Sequence, residues 1–280
     1  MKIADIFKEK RPVSFEIFPP KGELSMDSFR QTLDALAKLS PDFISVTCSA
    51  GGSGGRDRTA ALAGIVRDEF GVESCAHLTC INSDMETLKQ DVERIHEHGV
   101  ENVLALRGDM IPGAHTGTFH YAVELMEQLR DEGLCLGGAC YPEGHIECSD
   151  PQEDLRHLFE KQQAGAQFFV TQLFFDNDCF YKFIDKARQI GITIPVTAGI
   201  MPILSKAQIE RMIFTCGASL PSAIIRILNR YENDPDSLCA AGIEYAVNQI
   251  RDLWQNGVDG IHIYTMNRPA IATQIVKGMQ

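Results

Sequence analysis

The stretch from Val13 to Phe18 carries a carboxyl group, Glu16, among mainly apolar neighbours. Apolar residues alternate along it, which predicts a β-strand, and Pro19-Pro20 ends the strand because proline has no N–H for a sheet. In a central strand an unpaired charge would be costly, so burial would favour the protonated carboxyl group and suit Glu16 to general acid catalysis. In an edge strand Glu16 would simply face solvent, and this stretch alone leaves both interpretations open.

Several other apolar runs also end in polar side chains that could bind a ligand or move a proton. These polar residues are His77 and the segments 107–109, 141–145, 171–172 and 264–268. Taken one at a time, they have structural interpretations as well. His77 could be a buried core histidine, and Arg107 and Asp109 could form a salt bridge. A shared position at the ends of neighbouring strands would instead indicate one binding site.

The glycine- and serine-rich segment 48–55 is either a flexible connector or a loop whose backbone N–H groups approach a flat or phosphorylated ligand. A metal site would need two or more His, Asp or Glu ligands that converge on one point. The first strand-like run lacks the His-x-His pair that is typical of metal-dependent barrel hydrolases. We therefore predict no metal ion.

Strand-like and helix-like segments alternate along the whole chain. The predicted strands cover residues 13–18, 43–48, 73–79, 102–106, 135–140, 168–174, 194–199 and 260–264. The predicted helices cover residues 25–39, 57–70, 84–98, 119–131, 151–164, 178–190, 205–216, 221–229, 236–256 and 269–277. Each of the eight predicted strands is therefore followed by at least one helix.

Strict alternation of strand and helix implies a parallel sheet, and eight such units in 280 residues match an α/β fold of the (β/α)8 or TIM-barrel type. The helix near Pro221 is predicted to be an extra one, inserted between units seven and eight. A doubly wound sheet is the alternative, but no G-x-G-x-x-G motif follows the first strand. No linker divides the chain, so residues 1–280 are predicted to form a single domain. In a barrel the polar strand ends meet at one mouth, which predicts an enzyme.

Composition and charge narrow the class of function. A net charge of −12 argues against a nucleic-acid partner, because proteins that track phosphates are basic. No apolar run reaches the roughly 18 residues of a spanning helix, and the first ten residues lack a signal-peptide core. We therefore expect a cytoplasmic protein with no membrane partner. Nine cysteines, an odd number without a Cys-x-x-Cys pair, argue against a disulfide framework.

The polar motifs occur in an order that points to one family. They are SFEIFPPK (14–21), FISVT (43–47), RDRT (56–59), HLTC (77–80), LRGD (106–109), YPE (141–143), TQ (171–172) and YTMNR (264–268). Over almost its whole length the chain closely resembles the bacterial methylenetetrahydrofolate reductases. The resemblance implies a (β/α)8 barrel that holds FAD non-covalently and passes hydride from NADH or NADPH to 5,10-methylenetetrahydrofolate by a ping-pong mechanism. It also implies a role in one-carbon metabolism and methionine supply, without the C-terminal regulatory domain of the eukaryotic enzymes.

The resemblance also implies roles for individual residues. Glu16 matches the general acid, and Asp109 matches a catalytic carboxylate that contacts folate and lies near the flavin. Gln172, Gln208 and Arg268 match folate contacts. The matching FAD-binding positions are Thr47, Cys48, Ala50, His77, Arg107, Gly108, Asp109, Tyr121, Ala122, Ala139, Tyr141, His145, Asp154, His157 and Lys161.

Four positions depart from the family pattern. Cys48 stands where an aromatic residue often faces the flavin. His157 and Glu160 replace an amide and a basic residue near the FAD phosphates, and Met212 replaces a phenylalanine that packs on nicotinamide or folate.

Two other functions stay open at this point. One is a flavin-free barrel that binds folate or a pterin, such as a methyltransferase. The other is a reductase subunit that takes electrons from an iron–sulfur partner protein, for which the nine cysteines and Met212 are the motivation. We also expect a homo-oligomer.

Overall fold

The computed structural model describes residues 1–20, 26–48, 56–109 and 117–279, and its strands form a closed parallel barrel. The strands are β1 (Val13–Ile17), β2 (Phe43–Val46), β3 (Glu73–Thr79), β4 (Asn102–Leu106), β5 (Cys135–Cys140), β6 (Ala166–Thr171), β7 (Val196–Ile200) and β8 (Gly260–Tyr264). Strand β1 pairs with both β2 and β8, which closes the barrel. The predicted (β/α)8 barrel is confirmed, and Glu16 lies on a strand with two neighbours.

Helices cover the outside of the barrel and one of its ends. They are α1 (Ile3–Glu9), α2 (Met26–Ala37), α3 (Arg56–Phe70), α4 (Met85–Glu97), α5 (Ala122–Leu129), α6 (Pro151–Gln163), α7 (Asn177–Gln189), α8 (Lys206–Cys216), α9 (Ser222–Arg230), α10 (Pro235–Gln255) and α11 (Pro269–Met279). The sixth strand ends earlier than the predicted residue 174. The reason is that Leu173 and Phe175 leave the sheet and pack in an apolar cluster at the barrel mouth.

Strand β1 shows how the alternating pattern sorts side chains. Phe15 and Ile17 are fully buried in the apolar layer between the sheet and the outer helices. Ser14 and Glu16 point the other way, into the barrel, where both approach His262 of β8. The period of two therefore places the carboxyl group inside the barrel.

The N-terminal end of the barrel is filled by an apolar cluster, called the floor below, which α1 covers. The floor consists of Phe43, Cys75, Leu104, Cys135, Phe168 and Val170, together with Ile3 and Ile6 of α1. Asn102 fastens α1 there, because its Oδ1 accepts the N–H of Ile3 at 2.7 Å and its Nδ2 donates to the carbonyl of Met1 at 3.1 Å. Access to the barrel interior is thus left to the opposite end.

Three helices, α8, α9 and α10, separate β7 from β8. Helix α10 packs against α11, α9 and α7 and so belongs to the outer layer. Helices α8 and α9 contribute Ile209 and Ile224 to an apolar cluster that also contains Leu173 and Met201, beyond the strand ends. The predicted insertion between units seven and eight is confirmed, and α8 is part of it together with α9.

Within the described ranges, no helix combines the length and the apolar character that crossing a bilayer requires. All nine cysteines are free thiols. Cys75, Cys80, Cys135 and Cys140 are buried, and the other five are half-buried.

Candidate active site

Glu16 lies near the C-terminal end of β1, at the mouth of the barrel, beside two imidazoles. Its Oε2 is 3.6 Å from Nε2 of His77 on β3 and 3.6 Å from Nε2 of His262 on β8. The Glu16 side chain is 22% exposed, whereas those of His77 and His262 are 7% and 1% exposed. The carboxyl group is therefore the member of this cluster that a ligand in the mouth can reach.

His262 connects Glu16 to two buried serines. Ser14 Oγ lies 2.8 Å from Nδ1 of His262, and Ser45 Oγ lies 3.4 Å from Nε2. These contacts fix the ring, so that Nδ1 shares a proton with Ser14 while Nε2 faces Glu16. His262 was not among the residues predicted from the sequence. Its presence as a histidine inside the apolar run of β8 is the signal that could have identified it.

His77 is the second imidazole, and it is neutral at pH 7. Burial lowers the pKa of His77 to about 4, against the opposing effect of the Glu16 carboxylate. Its Nε2 has no hydrogen-bond partner among the described residues. A neutral ring adds no positive charge beside Glu16.

The chain that leaves β8 holds the end of β1 in place. Thr265 Oγ1 donates to the Glu16 carbonyl at 2.7 Å. The Asn267 amide accepts the N–H of Phe18 at 3.0 Å and donates to the Phe18 carbonyl at 2.8 Å. Asn267 takes the left-handed conformation, with φ of 53°, which asparagine tolerates better than most residues. These bonds fix the backbone that directly follows the Glu16 side chain.

Tyr264 follows His262 in the barrel and closes the mouth towards β6 and β7. Its hydroxyl donates to the Thr171 carbonyl at 2.7 Å, and burial raises the pKa of Tyr264 far above its usual value. Gly199 leaves room for this contact, since a Cβ there would lie 2.4 Å from the Thr171 oxygen and 2.8 Å from the Tyr264 hydroxyl. Tyr264 therefore stays a neutral donor at physiological pH.

A cavity of about 540 Å³, called cavity one below, opens between the ends of β4 and β5 and the face of α6. Residues to which the family resemblance assigns cofactor contacts line it. They are Arg107, Tyr121, Ala122, Ala139, Tyr141, His145, Asp154, His157 and Lys161. Tyr121 stacks on His157 at a centroid distance of 6.5 Å, which places two of these rings side by side.

Lys161 is the innermost cation of cavity one. Its Nζ donates to the Ala139 carbonyl at 2.9 Å and lies 5.6 Å from the centre of the Tyr141 ring. Burial lowers the pKa of Lys161, while Asp154 and Cys140 oppose the shift. An ammonium held in this way is costly without an anion nearby.

The rim of cavity one carries a chain of polar contacts. Arg107 forms an ion pair with Glu147, and its Nε donates to the Gly108 carbonyl at 3.2 Å. The backbone N–H of Glu147 donates to Nδ1 of His145 at 3.2 Å, and the N–H of His145 donates to Asp154 at 3.2 Å. Burial, followed by the charge of Arg107, lowers the pKa of His145.

The donor set of cavity one fits a large aromatic ligand with phosphates. Its volume of about 540 Å³ lies within the usual range for small-molecule sites, roughly 300–1,000 Å³. Among the described residues the Lys161 ammonium uses one of its three donors, on Ala139, so two can meet an anion. Glu160, by contrast, is paired with Arg156 and adds a negative charge where the family has a basic residue. The residues therefore fit FAD, with a weaker positive field than the family pattern implies.

The other predicted cofactor positions lie at the ends of β2, β3 and β4. Thr47 and Cys48 follow β2 and are half-buried, and Asp109 follows β4 and is exposed. Gly108 has φ of 87°, and a Cβ there would lie 2.8 Å from Cγ2 of Ile81, so this turn requires glycine. Ala50 lies outside the described residues.

A second cavity, of about 450 Å³ and called cavity two below, lies beside the exits of β1 and β8 and the N-terminal half of α8. Phe18, Gln208, Arg211, Met266 and Arg268 are among the residues that line it. Neither guanidinium has a carboxylate partner within salt-bridge distance in the described part of the chain. Among the described residues, cavity two therefore presents two positive charges without an acidic partner, in a protein whose net charge is −12.

The side-chain amides of the two predicted ligands Gln208 and Gln172 form hydrogen bonds with the backbone in this structure. Oε1 of Gln208 accepts the N–H of Leu204 at 2.8 Å, and its Nε2 donates to the Pro202 carbonyl at 3.3 Å. Oε1 of Gln172 accepts the N–H of Leu173 at 2.9 Å. Gln208 thus ties α8 to the exit of β7, and each amide must turn if it is to meet a ligand through the same atoms.

No group of three or more His, Cys, Asp or Glu side chains in the described ranges is arranged to hold a metal ion.

Comparison with known proteins adds a family to this geometry. Residues 2–280 match the family model described as methylenetetrahydrofolate reductase. The 5,10-methylenetetrahydrofolate reductase of Pectobacterium carotovorum is 33% identical over 264 residues, which cover 94% of this chain and 88% of that protein. Methylenetetrahydrofolate reductase (NADH) 1 of Arabidopsis thaliana is 34% identical over 291 residues, 95% of this chain and 49% of that protein. The chain spans about half the length of the fungal and plant relatives it matches.

Solved structures support the barrel. An uncharacterized protein from Clostridium thermocellum that binds two copies of 5-methyl-5,6,7,8-tetrahydrofolic acid superposes with a TM-score of 0.67 at 12% identity, covering 98% of this chain and 96% of that one. At that level of identity the likeness concerns the fold.

Proposed function

Since this chain belongs to the methylenetetrahydrofolate reductase family, we propose that it reduces 5,10-methylenetetrahydrofolate to 5-methyltetrahydrofolate, with FAD bound non-covalently in cavity one. The electron donor in this proposal is NADH or NADPH, used in a ping-pong sequence, and the product serves one-carbon metabolism and methionine supply. The observation that carries the proposal is the placement of Glu16, a reachable carboxyl group backed by two buried imidazoles at the barrel mouth.

The substrate's methylene group bridges two nitrogens, and opening that bridge requires a proton on one of them. The opened form is an iminium, whose carbon can then accept hydride. Bound FAD would supply the hydride-transfer chemistry between the donor and folate. The protein's own task is to bind and orient both partners and to deliver the proton.

Glu16 is the proposed proton donor, because it is the member of the buried cluster that a ligand in the mouth can reach. His262 is the proposed positioning partner, since its Nε2 lies 3.6 Å from Oε2 of Glu16 and its Nδ1 is held by Ser14 at 2.8 Å. The bond to Ser14 fixes the ring, so that its Nε2 edge stays turned towards the carboxyl group. His77, neutral at pH 7, completes the enclosure and adds no charge.

Cavity two is the proposed site for the carboxylate-bearing end of folate. Arg211 and Arg268 both line it, and neither has an acidic partner among the described residues. Charge-assisted hydrogen bonds from guanidinium to carboxylate are among the stronger ones in proteins. Phe18, two residues beyond Glu16, also lines this cavity, so a ligand anchored there extends towards the proposed proton donor. Asp109 and Gln172 are the proposed contacts for the pterin end.

The visible spectrum of the purified protein, before and after donor, tests the proposal. We expect flavin absorbance, its loss on anaerobic addition of NADH or NADPH, and its return on addition of 5,10-methylenetetrahydrofolate. NADH is tested first because the Arabidopsis relative carries NADH in its name. A protein that binds folate but takes up no flavin would overturn the proposal in favour of a methyltransferase-like barrel.

A flavoprotein that neither NADH nor NADPH bleaches, but that reduced iron–sulfur protein does, would overturn the proposed donor and leave the folate chemistry in place. The predicted homo-oligomer stays a prediction, and light scattering of the same sample measures it.

A further inference from the structure

Glu147 contacts two of the polar residues that line cavity one. Its carboxylate pairs with the Arg107 guanidinium, and its backbone N–H donates to Nδ1 of His145 at 3.2 Å. All three residues line the cavity. Arg107 and His145 are both proposed cofactor contacts, so the residue between them affects what they can bind.

The two members of the ion pair differ in their freedom to move. The Arg107 side chain is 25% exposed, and it is further fixed by the bond from its Nε to the Gly108 carbonyl at 3.2 Å. The Glu147 side chain is 55% exposed. An exposed carboxylate gains little from an ion pair and loses little when it turns into water. Any exchange of partner at Arg107 would therefore occur by departure of Glu147.

The remaining carboxylates of cavity one are differently engaged. Glu153 pairs with Arg156 at 3.1 Å, and Glu160 pairs with the same guanidinium. Asp154 accepts the N–H of His145 at 3.2 Å. Among the described carboxylates that line cavity one, Glu147 is therefore the one that is paired with Arg107.

We propose that Glu147 is an internal competitor for Arg107, which a phosphate of the bound cofactor must displace, and that it thereby sets how tightly the chain holds a phosphate-bearing flavin. This inference rests on the proposed function for the identity of the cofactor. It concerns Glu147 itself, to which the family resemblance assigns no contact. The competition is electrostatic, so it acts on anionic ligands and leaves uncharged flavins unaffected.

The test compares Glu147→Gln with Glu153→Gln, because both remove one negative charge from the same cavity and Glu147 alone of the two contacts Arg107. Dissociation constants for FAD and for riboflavin are measured on the full chain by flavin fluorescence. We expect Glu147→Gln to bind FAD about fivefold more tightly than Glu153→Gln does. Riboflavin, which has no phosphate, should bind both variants equally.

The same FAD titration is repeated with Glu147→Gln introduced into the Arg107→Gln variant. This comparison distinguishes loss of the competition from a general change in packing. There the gain from Glu147→Gln should vanish, since the competed group is gone. Equal FAD affinity of the Glu147 and Glu153 variants, weaker FAD binding by Glu147→Gln, or an equal gain for riboflavin would each overturn the inference.

If no form of the chain binds FAD, the proposed function fails, and inorganic pyrophosphate replaces FAD in the same comparison. Tighter pyrophosphate binding by Glu147→Gln than by Glu153→Gln would still support the competition at Arg107. Equal binding would overturn it.

Discussion

The floor of the barrel is built from apolar side chains such as Phe43 and Phe168, whereas the inward side chains at the mouth include Glu16, His77 and His262. Both sets of side chains lie on the inward-facing side of the same parallel sheet, at different heights along the barrel axis. The difference lies in what the ends contact: α1 covers the floor, and the mouth holds the proposed site. This barrel therefore separates the residues that stabilise it from the residues proposed for chemistry along its axis, as parallel barrels generally do.

Hydrogen bonding differs between the two ends in the same sense. Near the floor, the buried Asn102 amide uses its oxygen on Ile3 and its nitrogen on backbone carbonyls that include Ser74 at 3.0 Å. At the mouth, Nε2 of the buried His77 has no hydrogen-bond partner among the described residues. Leaving a buried polar group unsatisfied costs stability. The unpaired His77 nitrogen is therefore a cost at the mouth, and Ser74 Oγ, beside the Asn102 amide, is likewise buried without a partner among the described residues.

The largest effect that separates the two ends is expected from Phe168→Ala. Phe168 is fully buried at the floor, and its ring lies so close to Gly137 that a Cβ there would be 2.3 Å from Cζ. Removing the ring leaves a cavity and should lower the free energy of unfolding by about 4 kcal/mol, while kcat of the folded fraction stays unchanged. Denaturant unfolding measures it, with Phe214→Ala, at an 83% exposed position, as control. A loss of activity without a loss of stability would reverse the comparison.

The next effect is a pH dependence of stability that originates at the mouth. The pKa of His77 is about 4 in the folded chain and 6.5 for an ordinary histidine, so the unfolded chain binds the proton more readily between these values. Stability from this group is present above pH 6.5 and is lost as pH falls towards 4, by about 3 kcal/mol in all. His77→Gln should flatten this part of the curve, and His120→Gln, at an exposed position, should not. Parallel curves for wild type and His77→Gln would count against a buried neutral ring.

A smaller effect is expected from Arg268→Gln in cavity two. Loss of the proposed charge-assisted hydrogen bond to the substrate carboxylate should raise KM for folate about tenfold, with kcat, FAD affinity and stability little changed. Steady-state kinetics and flavin titration measure these quantities, and Arg251→Gln on the exposed side of α10 is the control. If FAD affinity falls instead, the proposal that cavity one binds FAD and cavity two binds the folate carboxylate is wrong.

The sequence predicted the barrel because each element carries its own local signal. Alternation in β1, an apolar run in β4 and the cap-then-proline start of α6 at Asp150-Pro151 depend only on neighbouring residues. The predicted end of β6 was wrong for the same reason. Leu173 and Phe174 prolong the apolar run beyond Gln172, and only the packing of Leu173 and Phe175 in the mouth cluster explains why the chain leaves the sheet. Local pattern gives the element, and tertiary packing decides where it ends.

The candidate site was predictable only in part. Strand-end position pointed to Glu16, but its neighbour His262 lies 246 residues away in the chain, and no local pattern shows which inward side chains face each other across a barrel. The pair Arg107–Glu147 was missed because a loop residue's partner depends on how the loop turns. The family resemblance assigned Gln208 to folate, and that assignment stays a prediction; no sequence pattern indicated that its amide also ties α8 to the exit of β7. Local sequence patterns do not determine the contacts that side chains make in loops and helix caps.

Glu16 is proposed to deliver the proton that opens the folate bridge, and the separate half-reactions of Glu16→Gln test this role. In an anaerobic stopped-flow instrument, donor is first mixed with the FAD-loaded variant, and 5,10-methylenetetrahydrofolate is then added. The first step should match wild type, and the second, the return of flavin absorbance, should slow by at least about 100-fold, the scale of a lost general acid. Reoxidation by folate at the wild-type rate would contradict the claim and remove Glu16 from the chemistry.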